Sequence, residues 1–233
     1  RLMNIIITGA SAGIGREVAL CLARDEKNKI VAISRNKTAL LSLSEAAENK
    51  NIITVDVDLR LTQEVRKRLK NILSEDPGSV DILINNAGLL INKPFSELRE
   101  SDVEDLINVN FQSPLLIIQY LLPLMKSGSH IVNIGSMGGF QGSSKFTGLS
   151  VYSAAKGALA VLTECLATEY ATQGISFNCL ALGSVSTDML KKAFPGYSGS
   201  MAPSEVARFI ADFALNGNKY FNGKVIPVAK SIP

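Results

Sequence analysis

The chain has no tryptophan, one histidine, three cysteines and few aromatics, and each shortage closes off a class of function. A single histidine, His130, argues against a histidine-built metal site and against a Ser-His-Asp triad, and no metal is expected. Cys21, Cys165 and Cys179 are odd in number and far apart. That fits neither a disulfide framework nor a zinc knuckle, so free thiols and a cytoplasmic location are expected. Aromatic residues at 6% are too few for a base-stacking surface. The one basic cluster, residues 66–70, falls on the solvent face of a predicted helix, so nucleic acid is not an expected partner. The longest apolar stretch, residues 115–125, contains Gln119, Tyr120 and Pro123 and is too short to cross a bilayer, so no membrane is expected either. Because the N-terminus enters a strand at once, no secretory leader is expected, and Met3 reads as the native start after two remnant residues.

What is present is a chain of 233 residues, 46% hydrophobic and 19% charged, with a dispersed net charge of +3. That composition suits one well-filled globular domain over residues 1–233. Short apolar runs at 4–8, 30–34, 52–56, 80–85, 131–134 and 176–180 read as strands buried on both faces. A last strand at 224–228 contains Pro227, which suits a sheet edge. Helical patterns lie between them at 13–24, 38–49, 62–74, 101–125, 151–170 and 203–215, the third with Thr62 as its cap. Repeated strand–helix–strand units predict an α/β fold of the Rossmann type, a doubly wound parallel sheet of about seven strands. Two segments rich in Gly and Ser, at about 137–150 and 184–202, are expected to form the substrate loops, the second as a mobile lid with Gly196 and Gly199.

The first strand runs into Thr8-Gly9-Ala10-Ser11-Ala12-Gly13-Ile14-Gly15 and then into a helix. Glycines in that position let the backbone turn sharply and let a pyrophosphate approach the helix N-terminus. A dinucleotide is the expected ligand; an ordinary tight turn is the alternative. Further on come Asn85-Asn86-Ala87-Gly88 after the fourth strand, Asn110 in a long helix, Ser136 after the fifth strand, and Tyr152-Ser153-Ala154-Ala155-Lys156. Together, in this order and over nearly the whole chain, these motifs resemble the short-chain dehydrogenase/reductase superfamily.

At the end of the second strand stand Ser34-Arg35-Asn36, with no acid to bind the ribose hydroxyls of NAD. A guanidinium can hold a 2′-phosphate through two charge-assisted bonds, so NADP(H) is favoured over NAD(H). The alternative is that Arg35 stacks on the adenine, which NAD would also permit. Asp56-Val57 resembles the family's adenine-contacting pair. The resemblance further implies that Asn86, Ala87 and Gly88 approach the adenosine ribose, and that Gly183, Val185 and Thr187 belong to the segment around the nicotinamide carboxamide. Gly9, Ser11, Gly13, Ile14 and Gly15 form the phosphate turn.

Tyr152 and Lys156, four apart on a predicted helix, share one face. A phenol titrates near pH ~10, and a neighbouring ammonium is expected to bring that closer to working pH. The resemblance implies that Tyr152 is the general acid or base, that Lys156 also binds the nicotinamide ribose, that Ser136 orients the substrate oxygen, and that Asn110 interrupts its helix and holds a water leading from Lys156 to solvent. These four are the expected catalytic residues, and hydride passes to or from the nicotinamide. Two features depart from the family pattern. Ser136 lies further ahead of Tyr152 than usual, the extra residues falling within 142–148, so Ser143 or Ser144 could assist it. Leu182-Gly183 stands where the family usually has Pro-Gly.

Met137, Phe140, Phe146, Leu149, Leu182, Met189, Leu190 and Phe194 are expected to line an apolar pocket for a small carbonyl or alcohol substrate. Lys145, Lys191 and Lys192 could draw in an anionic tail; solvated loop lysines are the alternative. A non-catalytic NADP sensor on the same fold and a 3-oxoacyl-carrier-protein reductase are the other functional readings. The apolar helix at 115–125 and the small residues of the Tyr152 helix fit the family's helical dimer interface, so a homodimer or homotetramer is expected. The usual closing Gly-Gly is absent and the given sequence ends Lys230-Ser231-Ile232-Pro233, so tetramer contacts through the tail are not counted on.

Overall fold

Apolar runs of this kind are stable as strands only when helices cover both of their faces, and that is the arrangement in the computed structural model, which describes residues 2–74 and 79–230. Arg1 and residues 231–233, which figured in the expectations for the two termini, lie outside the described residues. Seven strands form one sheet: β1 (Met3–Thr8), β2 (Asn28–Ser34), β3 (Ile52–Asp56), β4 (Ile82–Asn85), β5 (His130–Ser136), β6 (Ser176–Leu182) and β7 (Lys224–Val228). Their order is β3-β2-β1-β4-β5-β6-β7 and every ladder is parallel. The sheet therefore changes winding direction between β1 and β4. Pro227 sits on the outermost strand, as its missing N–H predicts.

The helices are α1 (Gly13–Ala23), α2 (Lys37–Ala46), α3 (Thr62–Ser74), α4 (Glu100–Ile107), α5 (Ser113–Leu121), α6 (Ser150–Glu169), α7 (Asp188–Ala193) and α8 (Pro203–Asn216). Successive strand residues feed two separate cores. Ile5, Ile7, Ile82 and Ile84 pack with Val18, Leu22 and Ile210 of α1 and α8. Ile6, Leu83 and Ile131 turn the other way, toward Val65, Leu69 and Ile117 of α3 and α5. This is the expected Rossmann-type α/β fold.

Four local expectations change. The helix foreseen at 101–125 is broken: α4 passes into a π-helical turn at Asn108–Gln112 before α5 begins. Pro114 has no N–H to offer the carbonyl four residues back, so a regular ladder cannot run through Asn110. Thr62 is itself the first residue of α3 rather than its cap, and Val65 donates to the Leu61 carbonyl at 3.0 Å. Strand β6 runs on to Leu182, because leucine there keeps the N–H that the family's proline lacks. Within the 184–202 segment lies the short helix α7. Among the described residues no helix is long and apolar enough to cross a membrane. All three cysteines are free.

Candidate active site

A cleft of about 1040 Å³ runs along the carboxyl ends of the strands and crosses the β1–β4 switch. Gly9, Ser11, Gly13 and Ile14 line it at the end of β1. Gly9 takes φ +68°, and a Cβ there would lie 2.7 Å from the Ala87 Cα, so only glycine fits. Gly15 does not line the cleft. A Cβ on it would come within 2.4 Å of the Gly9 carbonyl oxygen and closer still to the Asn86 side chain, so its part is to let α1 pack against the turn. Asn86 braces the same turn, its Nδ2 donating to the Thr8 carbonyl at 3.0 Å and to the Gly9 carbonyl at 3.2 Å. No side chain caps the first turn of α1, so its amides are free to face an anion. Asn86, Ala87 and Gly88 line the cleft as expected.

At the β2–β3 end, the Ser11 and Ser34 hydroxyls lie 2.7 Å apart and Arg35 is exposed on the cleft wall. Two expectations need correction here. Asn36 lies outside the cleft lining; it is the N-cap of α2, and its side chain accepts from the Ala39 amide at 3.1 Å. An asparagine directly before a helical pattern is itself the signal for that role. Asp56 is still within the sheet, paired with Ser34, and does not reach the cleft. Val57 does line it, but its amide continues the ladder to the Ser34 carbonyl at 3.0 Å, so the chain leaves the sheet only at Asp58. The acidic and aliphatic pair on the cleft is therefore Asp58 and Leu59, accompanied by Arg60 and by Asp105 of α4. Asp58 is held below the usual carboxylate range, first by its hydrogen bonds from the Arg60 side chain.

Helix α6 brings Tyr152 and Lys156 to the middle of the cleft, with Ser136 opposite at the end of β5. The Ser136 hydroxyl accepts from the Gly138 amide at 3.1 Å and lies beside the Tyr152 phenol on the cleft wall. Burial pushes the Tyr152 phenol above its ordinary value, with the Ser136 hydroxyl acting in the opposite direction. The Lys156 Nζ donates to the Ile134 carbonyl at 2.8 Å. Burial also brings the Lys156 ammonium down to about 8, with Cys179 beneath it acting in the opposite direction.

Asn110 is fully buried and does not line the cleft. Its side chain accepts from the Leu89 amide at 3.1 Å and donates to the carbonyls of Leu89 and Leu106 at 2.8 and 2.9 Å. It thereby fastens the segment after β4 to the π-helical turn. Gly88 lies between: a Cβ on it would be 3.4 Å from the Asn110 Oδ1 and 3.7 Å from the Lys156 Nζ.

Gly183, Val185 and Thr187 line the far wall. The Thr187 hydroxyl caps α7 by accepting from the Leu190 amide at 3.3 Å. Seven of the eight expected wall residues are present; Phe140 is not. Ser143 gives its hydroxyl to the carbonyls of Met137 and Phe140, and Lys145 bonds to Phe140 and Ser143. The extra loop residues are thus spent on the loop itself, and neither Ser143, Ser144, Lys145, Lys191 nor Lys192 lines the cleft. Sequence reasoning missed Leu89, Leu90 and Ile91, which add apolar wall after β4. Three aliphatic residues in a row just past a strand end are a legible sign of such a wall. Among the described residues no group of His, Cys, Asp and Glu could hold a metal ion.

The pattern of the short chain dehydrogenase family matches residues 3–198. An uncharacterized oxidoreductase of Staphylococcus aureus (strain USA300) is 29% identical over 225 residues, covering 96% of this chain and 95% of that protein. The 3-oxoacyl-[acyl-carrier-protein] reductase of Staphylococcus epidermidis is 29% identical over 240 residues, covering 97% and 96% of the two chains. Among solved structures, NADP-bound ElxO superposes with a TM-score of 0.85 at 27% identity, covering 98% of each chain. A dehydrogenase/reductase from Sinorhizobium meliloti superposes at 0.83 with 25% identity, covering 97% of this chain and 93% of the other. With its parallel sheet, its glycine turn and its Ser136–Tyr152–Lys156 cleft, this chain belongs to the short-chain dehydrogenase family and is an NAD(P)-dependent oxidoreductase.

Proposed function

We propose that this enzyme uses NADP(H) to interconvert a largely apolar ketone or aldehyde with its alcohol. The observation that carries the chemistry is the convergence of Ser136, Tyr152 and Lys156 on one cleft. Residues at the cleft fit a dinucleotide: Gly9, Ser11, Gly13 and Ile14 bring a turn with little side chain to its wall, beside the uncapped first turn of α1. Ser11, Ser34 and Arg35 would hold the 2′-phosphate, and Asn86, Ala87, Gly88, Lys156, Gly183, Val185 and Thr187 the remainder. When bound, the nicotinamide supplies or accepts the hydride.

Ser136 orients the substrate oxygen. Tyr152 gives that oxygen a proton during reduction and takes it back during oxidation. Burial keeps the phenol protonated and favours its return to the neutral form, at the cost of making it a weaker acid, so a neighbouring positive charge is needed when it ionises. Lys156, brought to about 8 by burial, is poised to carry charge to the phenolate when the phenol ionises. Asn110 acts by holding Leu89 and the π-helical turn in place beneath Lys156. The wall of Met137, Phe146, Leu149, Leu182 and Phe194 favours an apolar substrate body.

The test is oxidation of NADPH by the purified protein against a panel of ketones, aldehydes and oxoacyl thioesters. Tyr152→Phe is expected to lower kcat by about 10²-fold or more while leaving NADPH affinity within a factor of about 3. Unchanged turnover in Tyr152→Phe overturns the assignment. A second reading, reduction of a carrier-bound 3-oxoacyl chain, is favoured by the S. epidermidis reductase relative; turnover of oxoacyl thioesters alone would select it.

A further inference from the structure

Arg60 is placed unusually for a residue on the cleft wall. Its Nε donates to both carboxylate oxygens of Asp58, at 3.1 and 3.2 Å, and its Nη2 to Oδ2 at 2.7 Å. Its backbone amide adds a fourth contact to Asp58 Oδ1 at 3.0 Å. The other arm of the fork, Nη1, reaches Asp105 Oδ1 at 2.7 Å on α4. A carboxylate has about four lone-pair positions, so Arg60 takes up nearly all that Asp58 can offer. Held by carboxylates on two different elements, the guanidinium is fixed in place.

Arg35 stands at the end of the neighbouring strand. It has no hydrogen-bonded or ion-paired partner among the described residues, although its charge is felt at Asp58. Two arginines and two aspartates therefore share this end of the cleft, and the pairing is unequal. Arg60 takes up the hydrogen bonding of Asp58 and reaches one oxygen of Asp105, and Arg35 is left without a hydrogen-bonded partner among the described residues. Were Asp58 released, its carboxylate would attract Arg35 and repel any phosphate arriving beside it.

We propose that Arg60 is a positioning residue for cofactor choice: by saturating Asp58 it keeps Arg35 available to the 2′-phosphate of NADP. This rests on the NADP reading above. Arg60 itself touches no phosphate in this account; it acts through Asp58.

The experiment is fluorescence titration of NADPH and NADH with the purified protein, read as the ratio of the two Kd values. Arg60→Met is expected to lower the preference for NADPH by about fivefold, through weaker NADPH binding with NADH little changed. Arg60→Lys, a point charge without the fork, should fall between. Asp58→Asn combined with Arg60→Met should restore the preference, since the released carboxylate is gone. A structural role alone would weaken both cofactors together, and urea midpoints of the variants check their folding. If Arg35→Ala abolishes the preference and Arg60→Met leaves it intact, this inference is wrong and the NADP reading stands. If Arg35→Ala leaves the preference intact, or the wild type has none, the NADP reading fails and this inference with it.

Discussion

The ring of His130 is buried between β5 and α8, with both nitrogens engaged. Nδ1 bonds to the Ala214 carbonyl at 3.0 Å and Nε2 faces the Asn178 amide at 3.0 Å, so Nδ1 carries the proton and the ring is neutral. Burial brings its pKa down from 6.5 to about 4. Between those values the unfolded chain binds more protons than the folded one, so stability rises with pH there and is lost as pH falls. Urea unfolding should lose about 3 kcal/mol between pH 7 and pH 4 from this residue, and His130→Gln should flatten that slope while lowering stability at pH 7. At this scale the sequence was legible where a side chain's type dictates its use, as with Gly9, Ser136, Tyr152 and Lys156. It misled where two residues of the same type compete. Asp56-Val57 and Asp58-Leu59 repeat the same pair two positions apart, and only the hydrogen bond from the Val57 amide to Ser34 decides which one has left the sheet.

Among the elements, the broken helix from α4 to α5 shows how a local irregularity is put to use. The π-helical turn aims Asn110 inward, where three hydrogen bonds tie Leu89 and Leu106 to one side chain. Asn110→Ala would leave those backbone groups buried and unpaired, a loss of about 2–3 kcal/mol in urea unfolding, with faster hydrogen exchange at the Leu89 amide. The motif Asn85-Asn86-Ala87-Gly88 announced the site, but not this fastening, because nothing in one sequence reports that residue 110 returns to residue 89. The strands, by contrast, were read to within two residues at each end. The central strands are buried on both faces, so their apolar runs are continuous. Helix α7 was missed because six residues are too few to display a helical period.

Taken as a whole, the molecule exposes one shallow face on α6. Ala154, Val161 and Cys165 are exposed and Ala158 half-buried at helical spacing, and Val161 is 57% exposed. Small residues there allow close approach of a second helix, so self-association is expected through this face. Sedimentation should give a dimer or tetramer for the wild type and monomers for Val161→Glu. Composition alone pointed to a single core-filled domain, and the motifs pointed to where its cleft opens. The charge arrangement around Arg60 was not legible, because it joins β3's exit to α4 across the fold.

The close approach of Gly13 to Thr187, whose Cγ2 lies 3.4 Å from where a Cβ would stand on the glycine, joins the beginning of the chain to its last third. The phosphate turn leaves the ribosome well before β6, and the wall opposite it exists only once β6 has been laid beside β5. A partly synthesised chain thus carries the most recognisable motif of the protein and cannot close a site around it. Capture of the cofactor becomes a late event in the life of the nascent chain, a ligand-imposed seal on a sheet already assembled.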